Sequence, residues 1–208
     1  MSSKFLRRYA DLPALLYLLN EAKITFLDPA TWDDQNDAHY LAMYKQKRKL
    51  ASLLAVCFTQ ANETYHHWRV FASGPSGVCI RFRRGTLLAA VKGHAGITAR
   101  AVTYAKIDQI RPRGISVNDL PFLKRSAFED EDEFRLIYES KSKKQRTLDL
   151  PVPIACIDRI LLSPWMHPSL VKHVKTTVRG ISGCRTLTIT RSSLISNEDW
   201  KILGDNAR

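Results

Sequence analysis

The feature that most constrains the fold is a set of short apolar runs at residues 53–59, 78–82 and 154–162, each bounded by polar or turn-forming residues. Runs of this length, rich in β-branched residues, read as buried strands. Stretches of helical spacing lie between and around them. Asp11 is a fitting N-cap, and Pro13 sits in the tolerant first turn. Leu12, Leu15, Leu16 and Leu19 then recur on one helical face. Residues 63–72 place Tyr65, Trp68 and Phe71 or Ala72 together, and 168–180 run from Pro168 through Val171, Val174 and Val178 to Gly180. Further strands are predicted at 23–27, 99–105, 133–138 and 186–190, and further helices at 38–50, 86–91 and 116–128, the last interrupted or begun afresh near Pro121. The segment 28–37 reads as a loop and 141–150 as a charged hairpin or loop. The alternation has no fixed period, and no repeat or low-complexity linker interrupts it. The expectation is an α+β fold in one domain over residues 1–208, with a mixed or mainly antiparallel sheet and packed helices.

No apolar stretch approaches the roughly 20 residues of a membrane span. The opening Met1-Ser-Ser-Lys-Phe-Leu-Arg-Arg has no apolar leader core. A cytoplasmic protein without a membrane partner is therefore expected. Cys57, Cys79, Cys156 and Cys184 are widely spaced, the first three in apolar, strand-like surroundings. All four are expected to be free, mostly buried thiols, and no metal site is expected. His66 and His67 are adjacent on a helix and point to different sides, so they share no metal.

The formal charge is +12, and the cations are blocked. Lys45, Lys47, Arg48 and Lys49 form one group, Arg81, Arg83 and Arg84 a second, and Lys141, Lys143, Lys144 and Arg146 a third. Such clusters favour a polyanion such as nucleic acid, or a nucleotide; a solvated surface is the plain alternative. Residues 129–133 form an opposing acidic run. Walker A, nucleophile-elbow, dinucleotide-fingerprint and zinc-ribbon spacings are missing, which removes the corresponding enzyme classes.

In chain order stand Phe5-Leu-Arg-Arg-Tyr9, Ile24-Thr-Phe-Leu-Asp-Pro29, Trp32-Asp-Asp-Gln-Asn-Asp37 and Cys57-Phe-Thr59. His67-Trp-Arg-Val-Phe-Ala72, Gly77-Val-Cys-Ile-Arg-Phe82, Glu131-Asp-Glu-Phe-Arg135 and Ile160-Leu-Leu-Ser-Pro164 follow. Over about 170 residues this resembles a bacterial family known as a domain of unknown function. Its motifs are Leu-x-Phe-Ser-x-Pro, Phe-Asn-Asp-Pro-Phe, Trp-x-x-Tyr-Ala, Gly-Val-Cys-Ile-x-Phe and Glu-x-Glu-Trp-Arg. The chain differs at Ala38 and His39, at Phe134 in place of tryptophan, and at Ser163 in place of glycine. The order of elements at the start is also similar to that of ADP-ribosyltransferases, here in a toxin or phage-defence setting. That resemblance implies NAD as the co-substrate, Arg8 on the first strand as a ligand-gripping residue and Glu133 on a later strand as the catalytic carboxylate. A guanidinium can hold a pyrophosphate through two bonds, and a carboxylate can stabilise an oxocarbenium-like ribose.

Read from the residues themselves, Glu131 and Glu133 form a pair that a strand would place on one side, where they could share acid–base work. His67 joins them as a catalytic candidate. Arg8, Trp68, Asp33, Asp37 and Arg135 are ligand-binding candidates, with Trp68 as a stacking platform or a core residue. Arg135 could instead tie Asp33 or Asp37 into an ion pair. The alternatives to a transferase are a basic nucleic-acid-binding domain, a metal-dependent nuclease built on Glu139 with Asp108 or Asp132, and a non-catalytic interaction module.

Overall fold

The computed structural model describes residues 3–72 and 74–207. Strand β1 (Phe5–Asp11) leads straight into helix α1 (Leu12–Glu21), because the Asp11 carboxylate accepts the Ala14 N–H at 2.8 Å and fixes the first turn. Ala22 then adopts a left-handed conformation and turns the chain into β2 (Lys23–Leu27). Helix α2 (Gln35–Lys47) starts where the Asp34 carboxylate accepts the N–H groups of Asn36 and Asp37. Next come β3 (Ser52–Thr59), α3 (Tyr65–Phe71), β4 (Gly77–Arg83), α4 (Arg84–Lys92), β5 (Ile97–Ala101), β6 (Thr103–Ala105) and the short α5 (Ile107–Ile110). After β7 (Leu123–Arg125) follow β8 (Glu133–Ser140), β9 (Thr147–Pro151), β10 (Ile157–Leu162), α6 (Pro168–Gly180), β11 (Thr188–Arg191) and α7 (Glu198–Asp205). Among the described residues no helix is long and apolar enough to cross a membrane.

The fold is α+β, with nine strands in one sheet that is antiparallel except at the β10–β11 pair. Strands β6 and β7 form a separate parallel pair. Strand β3 is the centre. One of its edges pairs with β8 over its full length, from Ser52↔Ser140 to Thr59↔Glu133. Its other edge is shared. Strand β2 meets it only at Leu27↔Ala55 and β1 only at Arg7↔Thr59. The two neighbours splay apart, and among the described residues the edge of β3 between these points has no ladder partner.

Both faces of β3 are covered. Leu54, Val56 and Phe58 point into the larger core with Leu6, Phe26 and Phe82. Leu53 and Ala55 point the other way, into a smaller core with Leu41, Tyr44, Phe122 and Ile137. The alternation continues on that second face, but its chemistry changes. Cys57 and Thr59 follow Ala55, and across the ladder Arg135 and Glu133 follow Ile137. One face of the β3–β8 pair is thus apolar at one end and ionic at the other.

Several expected elements differ. Residues 116–128 are two short 3-10 turns flanking β7 rather than one helix. Pro121, which lacks an N–H, lies inside the first turn. The expected strand at 99–105 divides at Val102 into β5 and β6, which belong to different sheets. The charged 141–150 segment ends in a strand, β9, that pairs along β2. Helix α7 carries no counterpart in the sequence reading. Glu131 and Glu133 do not share a strand: Glu131 closes a 3-10 turn, Asp132 is left-handed, and only Glu133 belongs to β8.

Candidate active site

The splay of β1 and β2 opens a cleft of about 650 Å³ over the bare edge of β3. Arg7, Arg8 and Tyr9 of β1 line one side. Asp33, Asp34 and Asp37, with Lys124, Glu131 and Glu133, line the other. Trp32, Phe71 and Phe128 supply aromatic surface at its walls.

The acidic wall is organised by Arg135, which is fully buried. All five of its N–H groups are used. Nε and Nη2 donate to the two Glu133 oxygens at 2.7 and 2.9 Å, and Nη1 and Nη2 donate to Asp37 at 2.9 and 2.6 Å. Nη1 also donates to the Pro121 carbonyl at 2.8 Å. The Trp32 ring covers the guanidinium at 5.0 Å. A second cation, Lys124, donates to Glu131 at 2.6 Å and lies 3.5 Å from Glu133, 3.8 Å from Asp37 and 3.9 Å from Asp34. The Glu133 N–H donates to the Tyr104 hydroxyl at 2.9 Å, which fixes the start of β8.

The charges in this network do not cancel. Two cations, Arg135 and Lys124, face four carboxylates, Asp34, Asp37, Glu131 and Glu133. Burial works against the Glu133 charge, but Arg135 and then Lys124 outweigh it and hold the carboxyl below the ordinary range. At Glu131 burial wins over the Lys124 bond, and its pKa is raised. Burial, reinforced by Glu133, pushes the Cys57 thiol well up. The two glutamates thus differ in proton affinity although they share Lys124.

The opposite wall is cationic. Arg7 spends donors on the Ala61 carbonyl at 2.7 Å and on Asn62 at 3.0 Å. Arg8 reaches across the splay to the Cys57 carbonyl at 3.4 Å, the exposed backbone of the β3 edge. Among the described residues Arg8 has no carboxylate partner, and burial pushes its pKa down. A half-buried guanidinium without a counter-ion keeps the capacity to hold an anion.

Of the expected site residues, Glu131, Glu133, Arg8, Asp33 and Asp37 line this cleft. Arg135 lies behind its wall and can touch no ligand. Its ion pair with Asp37 is the structural role the sequence left open. Trp68 is not a platform: it is fully buried, and its indole N–H donates to Glu63 at 2.6 Å. His67 is also buried, beneath Tyr9, whose ring stacks on it at 5.5 Å. Its Nδ1 and the Thr64 hydroxyl are 2.5 Å apart, and Nε2 faces the Glu131 carbonyl at 3.4 Å. It braces α3 against the Glu131 turn and does not face the cleft. Burial lowers its pKa and keeps it neutral.

Lys45, Lys47, Arg48 and Lys49 cluster at the end of α2, without a salt-bridge partner among the described residues. Arg81 and Arg83 do have one, Asp158, and Arg84 donates to Gln60 at 2.6 Å while lying over Phe134. The second basic block is therefore largely structural. The nuclease pairing of Glu139 with Asp132 does not assemble. Glu139 accepts from Tyr44 at 2.6 Å and Asp132 from Gln60 at 3.0 Å, with the length of β8, on the order of 20 Å, between them. The sequence reading missed Lys124, Arg7 and the aromatic lining of Trp32, Phe71 and Phe128.

No family model matches the chain, and no curated protein matches it. Among solved structures it is similar to Thermus sp. 2.9 DarT in complex with carba-NAD+, at 9% identity over 96% of this chain and 98% of that one, with a TM-score of 0.48. The same protein in complex with ADP-ribosylated ssDNA gives 8% identity, 96% and 97% coverage and a TM-score of 0.49. In complex with NAD+ it gives 8%, 96% and 98%, and 0.48. These are loose likenesses, under 10% identical and below a TM-score of 0.5.

Proposed function

We propose that the cleft binds NAD and that the chain is an ADP-ribosyltransferase-like enzyme that breaks the nicotinamide–ribose bond. The observation that carries this reading is the polarity of the cleft: an unpaired Arg8 on one wall and an ionic network with an excess of carboxylates on the other. NAD has the matching polarity, with an anionic pyrophosphate at its middle and a cationic nicotinamide at one end. The cavity size falls within the range of about 300–1,000 Å³ typical of small-molecule sites. The sequence resemblance assigns Arg8 and Glu133 these same two roles.

In this reading Arg8 grips the pyrophosphate, and Trp32, Phe71 or Phe128 offer flat surface to the rings. Glu133, held ionised and oriented by Arg135, faces the ribose. As the bond to nicotinamide breaks, its electron pair leaves with the nicotinamide, and positive charge develops on the ribose. A fixed carboxylate stabilises that charge without reorganising. The acceptor nucleophile then bonds to the ribose carbon. Its proton passes to Glu131, whose raised pKa suits it to proton transfer.

Calorimetry with NAD and a nicotinamide-release assay test this. Wild-type protein is expected to bind NAD and release nicotinamide. Glu133→Gln keeps the shape but removes the charge, and should lower turnover by about 100-fold or more while NAD still binds. Arg8→Ala should weaken NAD binding. Undetectable NAD binding by the wild-type chain overturns the proposal.

A further inference from the structure

A second cavity, of about 500 Å³, lies on the other side of the acidic wall, between the start of α2 and the β6–α5–β7 segment. Its wall shares Asp34, Asp37 and Lys124 with the main cleft. Both Asp37 oxygens accept from Arg135, one Asp34 oxygen accepts the α2 N–H groups, and Lys124 donates to Glu131. Against the two carboxylates the lining carries four cations, Lys124 with Lys106, Arg111 and Arg125, and the last three are exposed with no salt-bridge partner among the described residues. Ile107, Ile110 and Leu123 give the cavity apolar surface. His39 and Tyr40 give it two rings, with centroids 6.4 Å apart and planes tilted by 48°.

We infer that this cavity is a separate binding site for a phosphate-bearing ring compound of mononucleotide size. The inference goes beyond the proposed NAD cleft and does not depend on it. Three convergent cations left without counter-ions match a phosphate, which each can approach as a charged donor. The apolar and aromatic lining matches a flat ring, which stacking and burial would hold. The cavity presents apolar and aromatic surface beside a cluster of cations. The shared chemistry is ring plus phosphate. A nucleoside monophosphate and a phosphorylated sugar both offer the phosphate, and only the nucleotide offers a flat ring.

Calorimetry on the full chain with AMP, UMP, ribose 5-phosphate and inorganic phosphate separates these sources. AMP or UMP is expected to bind more tightly than ribose 5-phosphate, and inorganic phosphate most weakly. Lys106→Glu/Arg111→Glu should weaken AMP by at least about tenfold, and Arg125→Glu should act in the same direction. His39→Ala should weaken AMP but leave ribose 5-phosphate unchanged. All four residues are exposed, so folding is preserved, and circular dichroism checks it. Lys172→Glu, an exposed charge change on α6 outside both cavities, should leave AMP affinity unchanged. Equal affinities for AMP and inorganic phosphate would overturn the ring assignment. Retention of full AMP affinity in the Lys106/Arg111 variant would overturn the proposal. So would undetectable binding of both nucleotides.

Discussion

Arg135 and Asp37 stand 98 residues apart in the chain and meet in a two-pronged ion pair, with both guanidinium Nη atoms on the two carboxylate oxygens. Arg135 donates to Glu133 at the same time, so its removal strands two buried carboxylates. Arg135→Met should therefore cost about 3–5 kcal/mol in urea unfolding. Arg135→Lys should cost nearly as much, since an ammonium cannot reproduce the planar fork. Adding Asp37→Asn to Arg135→Met should recover part of the loss, because it removes one stranded charge. A cost below about 1 kcal/mol for the single variant would mean that the network contributes nothing to stability.

Trp68→Phe isolates the role of a tryptophan that the cleft does not use. It leaves Glu63 without its indole donor, although the Ser192 hydroxyl still bonds it. The expected destabilisation is about 1–3 kcal/mol, with ligand affinity in the cleft unchanged. A change in affinity without a change in stability would restore Trp68 as a ligand contact.

The elements most legible in the sequence are those fixed by local chemistry. Asp11 and Pro13 announce α1, the alternation around Cys79 announces β4, and Pro168 with Gly180 brackets α6. What escaped depends on partners distant in the chain. Strand β9 is polar and becomes a strand because β2 pairs with it. Residues 116–128 carry apolar spacing compatible with a helix, but Pro121 and the pairing of β7 with β6 decide otherwise. At the site, Glu133 and Arg8 were reachable through motif order, whereas Lys124 was not. It is one of 32 lysines and arginines, and nothing in Leu123-Lys124-Arg125 signals that four carboxylates converge on it. Trp32 was visible only as a motif residue beside a loop, and the cation beneath it comes from β8.

His67 gives stability a pH dependence. Burial, its largest influence, depresses its pKa in the folded state, so below about 6.5 the unfolded chain binds the proton more readily. The His67 contribution is complete above that pH and is lost as pH falls toward the folded-state pKa. Melting temperatures of the wild type should fall from pH 7.5 to 5.5, and His67→Gln should flatten that fall. Parallel profiles for the two proteins would assign the dependence to other groups.

The four free thiols should all be slow toward a thiol reagent in the native protein and all reactive after denaturation. Cys57 is the half-buried one and lines the cleft, so it should react first, held back by its raised pKa. Saturating NAD should slow Cys57 labelling, read by mass spectrometry, and leave Cys79, Cys156 and Cys184 as they were. Unchanged labelling of Cys57 would argue against occupancy of the cleft.

The first two of the three basic blocks should behave differently toward a polyanion. Lys45, Lys47 and Lys49 are unpaired among the described residues, whereas Arg81 and Arg83 are tied to Asp158. Reversing the three lysines to glutamate should weaken binding of a generic oligonucleotide and flatten its salt dependence. Arg81→Gln/Arg83→Gln should change stability more than binding. Equal loss of oligonucleotide affinity in both variants would contradict this division.

The single-pair junctions that join β1 and β2 to β3 separate what the cleft holds from how wide it is. The acidic wall is pinned by eight consecutive pairs between β3 and β8, so Glu133 and Arg135 keep their setting whatever the outer strands do. The Arg8 wall shares one ladder pair with that frame among the described residues, Arg7↔Thr59, supplemented by the arginine side-chain bonds to Ala61 and Cys57, and otherwise pairs with β4. The span between Arg8 and Glu133 can therefore be re-gauged by substitutions at the strand junctions, while the ionic frame stays in register. A lineage built on this plan could accept longer or shorter ligands without re-inventing its charge network.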